Sequence, residues 1–77
     1  MICERAEMEG SAKGRDGWFP LEMANVSYDH PFNAPWEYGL NIDFVNQSQG
    51  VGSRVAVELS PQSAKRLAET IMEALKR

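Results

Sequence analysis

Ala64, Leu67, Ala68, Ile71, Met72 and Leu75 recur at steps of three and four residues, the spacing of a single apolar stripe along an amphipathic helix. Lys65, Arg66, Glu69, Thr70, Glu73 and Lys76 occupy the opposite side. Ser60 supplies an oxygen for the first free amides and Pro61 has the fixed φ that suits a first helical turn. Lys76 and Arg77 bring positive charge to the negative end of the helix dipole. The pattern predicts a helix over 61–76.

Upstream the period falls to two. In 54–59 Val55, Val57 and Leu59 share one face with Arg54, Ala56 and Glu58 on the other, and in 38–46 Tyr38, Leu40, Ile42 and Phe44 oppose Asn41 and Asp43. The polar, glycine-bearing stretch 47–52, which includes Val51, suits a hairpin loop between these strands. A symmetric hairpin sets Phe44 against Val55, Ile42 against Val57 and Leu40 against Leu59, and a slip of one residue would destroy every apolar match. The same register puts Asp43 diagonal to Arg54 and Asn41 opposite Glu58. Residues 2–9 alternate more loosely, with Ile2, Ala6 and Met8 against Arg5, Glu7 and Glu9, and 22–29 places Ala24, Val26 and Tyr28 on one face. Between them Gly10, Gly14 and Gly17 break any regular element and predict a loop or an irregular, twisted hairpin end. Residues 29–36, bounded by Pro31 and Pro35, predict a second loop. The expected fold is α+β: a four-stranded antiparallel sheet in the order ββββα, with the C-terminal helix packed on one face, forming one small domain over 1–77.

One helix covers only one side of such a sheet, and Trp18, Phe19, Phe32 and Trp36 fall in the expected loops, outside the strongly patterned elements. Seventy-seven residues support only a small core, and the lone Cys3 excludes an internal disulfide, so a homodimer is the expected reinforcement. At 43% hydrophobic and 25% charged the chain has the balance of a globular domain. Its net charge of −3 argues against general nucleic-acid or anionic-membrane binding, which would require Lys13, Arg15 and Arg54 to converge. Interleaved charges at the N-terminus exclude a signal peptide there, and no apolar run reaches the length of a membrane span. The triplets Asn25-Val26-Ser27 and Asn46-Gln47-Ser48 are therefore read as strand and turn residues, and the expected compartment is the cytoplasm.

His30, the only histidine, is the side chain suited to acid–base or metal chemistry near neutral pH, with Asp29, Glu37, Asp43 and Cys3 as potential partners. These residues lack the short paired spacings of a structural zinc site, and a histidine before a proline with Asp29 turning the chain is first a structural unit. Cys3 has only Arg5 as a nearby cation and reads as a small strand hydrophobe. Gly10, Gly14 and Gly17 lack the order of a phosphate-binding loop, because Lys13 precedes Gly14, and no dinucleotide fingerprint is present, which leaves any cofactor unknown. Trp18, Asp29, His30, Phe32, Trp36, Glu37, Asp43 and Arg54 remain as candidate ligand-binding residues.

The segments Gly14-x-x-Gly17-Trp18-Phe19-Pro20, Tyr28-Asp29-His30-Pro31, Ala34-Pro35, Glu37, 41–46 and 54–60 together resemble a family of small uncharacterised bacterial domains found as stand-alone proteins. The resemblance spans nearly the whole chain. It implies a stand-alone bacterial cytoplasmic protein and directs attention to Asp29, His30, Pro31, Glu37 and Asp43, with no activity attached. The chain is therefore expected to be a binding or assembly module presenting loops 10–20 and 29–37, or else a small enzyme or metal-binding protein built on His30 with Asp29, Glu37 or Cys3.

Overall fold

A computed structural model describes residues 2–50 and 52–76; Met1, Val51, Arg77 and the side chain of Ile2 lie outside the described residues. Strands β1 (Ile2–Glu7), β2 (Ser11–Gly14), β3 (Gly17–Pro20), β4 (Met23–Asp29), β5 (Gly39–Val45) and β6 (Arg54–Leu59) precede the helix α1 (Pro61–Leu75). The four long strands form an antiparallel sheet in the order β1-β4-β5-β6, which gives the α+β class. Leu40 pairs with Leu59, Ile42 with Val57 and Phe44 with Val55, the register that the alternation requires. Positions paired across strands share a face. One face carries Ser27, Asn41 and Glu58 in one row and Arg5, Asn25, Asp43 and Ala56 in the next. The other carries Val26, Ile42 and Val57 beside Ala24, Phe44 and Val55.

The glycine-rich segment is more regular than its composition suggests. β2 and β3 form a separate hairpin closed by Arg15 and Asp16, and Gly17, at φ +116°, takes the left-handed backbone that closes so tight a turn. Phe19, expected in a loop, lies on β3 and is 6% exposed, one of two buried apolar side chains among the described residues, together with Ala24. Its ring lies against Gly14, where an added Cβ would come within 3.0 Å of Cε1 and 3.1 Å of the Gly52 carbonyl. Buried Asn46 ties this hairpin to the end of β5: its Nδ2 donates to the Pro20 carbonyl at 2.8 Å, and its Oδ1 accepts from the Ser48 amide and hydroxyl.

Ser60 caps α1, accepting from the Ser63 amide at 3.1 Å, and Lys76 is the C-cap residue. The C-terminal helix that the stripe predicts is present, and its contact with the sheet is slight. α1 touches β5 and β6, but Ala64 is its only half-buried residue, and every other position of the helix is exposed. Exposure climbs along the stripe from 44% at Leu67 through 50% at Ile71 and 64% at Met72 to 74% at Leu75. The helix diverges from the sheet toward its C-terminal end, and the Cα radius of gyration of 13.2 Å exceeds the ~11.5 Å of a compact chain of this length.

Candidate functional site

The polar face of the sheet floors an open groove of about 900 Å³. Ser27 of β4, Asn41 and Asp43 of β5, and Arg54 and Glu58 of β6 line it, with Asp29, His30 and residues 32–34 forming one wall. That wall has a specific cause. Pro31 and Pro35 have no N–H, so the segment between them presents three amides, from Phe32, Asn33 and Ala34, and sheet pairing claims none of them. All three donate to the Glu58 carboxylate: Phe32 at 2.6 Å and Ala34 at 2.8 Å, with Asn33 reaching both oxygens at 3.0 and 3.1 Å. The Ala34 amide is the main influence holding the Glu58 carboxyl below the ordinary glutamate range. Desolvation opposes it, and the Asn33 and Phe32 amides reinforce it.

The base of the loop is held by its other polar groups. Asp29 accepts from the His30 amide at 2.7 Å, and His30 Nδ1–H donates to the Glu37 carbonyl at 2.6 Å. His30 stacks on Tyr38 at 4.8 Å between ring centroids, and Tyr38 stacks on Tyr28 at 5.6 Å. Above this base Phe32 is wholly exposed, at 102%.

The structure brings Asp29, His30, Phe32, Asp43 and Arg54 to this one groove. Trp36 is in the same loop, with its ring near Gly39, while Glu37 contributes its carbonyl to His30. Trp18 stands apart on β3, 71% exposed and paired with Lys13. Cys3 is exposed on β1 opposite Ser27 and does not line the groove. Among the described residues no three His, Cys, Asp or Glu side chains gather to hold a metal ion. Arg15 and Arg54 share a shallow hollow with Gly52 and Ala56, without Lys13, and each arginine already faces an acid, Asp16 and Asp43 respectively. Among the described residues no helix is long and apolar enough to cross a membrane. Glu58 is the residue that sequence reasoning assigned only to a strand's polar side. The available signal was the proline-bounded run of three amides with no partner of its own.

Arg54 grips Asp43 side-on, its Nε at 3.0 Å and one terminal nitrogen at 2.8 Å from the same Oδ1. The pair is partly exposed, so solvent screens it, and Arg54→Ala is expected to lower unfolding stability by less than ~1 kcal/mol in urea titration. A loss of several kcal/mol would show that the ion pair is sealed from water when the protein assembles.

None of the curated proteins and none of the solved structures matches this chain. A family model does, over residues 1–77: the protein belongs to the family of unknown function DUF6295.

Proposed function

We propose that this chain is a homo-oligomeric binding module of the bacterial cytoplasm that presents loops 10–20 and 29–37 to a ligand or protein partner. The observation that carries this reading is the surface the chain leaves uncovered. Its accessible area is 6173 Å², against about 4,700 Å² for a compact folded monomer of this mass. The surplus, on the order of 1,500 Å², is about twice the ~800 Å² that each partner contributes to a standard stable interface. With Phe19 and Ala24 the only buried apolar side chains among the described residues, a single chain has little core of its own.

The loop between Pro31 and Pro35 supports the binding half of the reading. It is pinned by Glu58 through three amides, and it offers the bare ring of Phe32 beside a polar groove. A segment already fixed in place loses little conformational entropy when it meets a partner, and aromatic rings dominate recognition energetics. Native mass spectrometry of the purified protein tests the reading. The expected spectrum shows a homo-oligomer, with any retained small molecule as an added mass, and a purely monomeric spectrum at micromolar concentration overturns it.

A further inference from the structure

The apolar stripe of α1 is uncovered and, turned end for end, complements itself, and we infer that a second copy of this chain docks its own α1 antiparallel upon it. The two-fold axis passes between Glu69 and Thr70. This inference rests on the homo-oligomeric reading above and names the surface that performs it.

Four observations converge on this arrangement. Isolated helices of up to ~15 residues are marginal in water, and α1, at 15 residues, has only Ala64 half-buried against the rest of the protein. Its exposure rises steadily toward Leu75, so the C-terminal part of the stripe is uncovered and open to a neighbouring molecule. An axis between Glu69 and Thr70 sets Ala64 opposite Leu75, Leu67 opposite Met72 and Ala68 opposite Ile71. Small residues face large ones at two of these three pairings, the complementarity that lets helices interdigitate closely. The same antiparallel axis opposes the two helix dipoles. Covering half of each chain's surplus area would bury roughly 1,500 Å² in total, the size of a standard stable interface. The polar groove lies on the sheet, so this pairing leaves it open.

Sedimentation of the full chain and its Ile71→Glu variant separates the outcomes. The expected result is an oligomeric wild type and a variant at least ~tenfold weaker in association, with the strand signal in circular dichroism retained. A monomeric wild type overturns the homo-oligomeric reading itself. An oligomeric wild type with unchanged association in Ile71→Glu overturns the helix pairing alone. If Ile71→Glu fails to fold, cysteine pairing decides, with Cys3→Ser as the background because Cys3 is exposed. Leu67→Cys and Met72→Cys chains are oxidised separately and then as a mixture. Antiparallel pairing predicts disulfide dimers chiefly in the mixture, because two copies of residue 67 lie five residues apart along the axis, roughly 7.5 Å, beyond the span of a disulfide. Equal cross-linking of each variant alone, or none in the mixture, overturns the proposal.

Discussion

Phe19→Ala is expected to remove most of the protein's stability. Truncating a buried phenylalanine costs about 3–5 kcal/mol, the lost transfer energy plus the cavity left behind. A chain of this length has a total of roughly 4–12 kcal/mol. Among the described residues Phe19 is one of two buried apolar side chains, and its ring lies against Gly14 of the β2–β3 hairpin. Little else can collapse into the space. Urea titration followed by far-ultraviolet circular dichroism, at a fixed protein concentration because assembly contributes to stability, should show a variant largely unfolded without denaturant or a midpoint lowered by more than half. A loss below ~1 kcal/mol would place the structural centre elsewhere, in the subunit contact rather than in the hairpin.

The parts of this fold that could be read in the sequence are those whose signals are local and repetitive. The β5–β6 register followed from three apolar matches that only one alignment preserves, and α1 followed from its stripe and its Ser60 cap. The β2–β3 hairpin was only half legible. Its glycines mark a turn correctly, but four-residue strands carry too few positions for alternation to declare itself, so Phe19 fell into an expected loop. The helix was legible as an element but not in the extent of its contacts. Its stripe states that the face is covered but not by what, and a sheet in the same chain was the nearest candidate. The exposed run from Leu67 to Leu75 is the physical record of that ambiguity.

The site divides in the same way. Asp29, His30, Phe32, Asp43 and Arg54 could be nominated singly from residue type, and the β4–β5–β6 register explains why they meet: Ser27 pairs with Asn41, Asn41 with Glu58, and Arg54 lies diagonal to Asp43. Glu58 could not be nominated, because its partners lie 24 to 26 residues away and are backbone amides, which every residue except proline possesses. An accounting of amides between prolines, rather than a search for reactive side chains, is what identifies such a carboxylate.

The Glu58 interaction yields a second strong expectation, in order of the loop rather than in global unfolding. Glu58→Gln keeps the size of the side chain but removes the charge and turns an amide NH2 toward donors, so at least one of the three amides loses its acceptor. Hydrogen exchange at Phe32, Asn33 and Ala34 should rise toward that of unprotected amides while the β5–β6 ladder keeps its protection. Acid should reproduce the effect in the wild type. The Glu58 carboxyl titrates lower in the folded protein than in the unfolded chain, so its stabilisation is complete above the ordinary glutamate value of 4.5 and fades as pH falls below that value through the depressed one. Above that window the loop should be insensitive to pH on account of this group, and the Gln variant should lack this acid-dependent loosening. Amides at 32–34 that exchange equally fast in both proteins near neutral pH would show that the carboxylate does not hold the loop, and with it would fall the pinned presentation of Phe32 on which the binding reading leans.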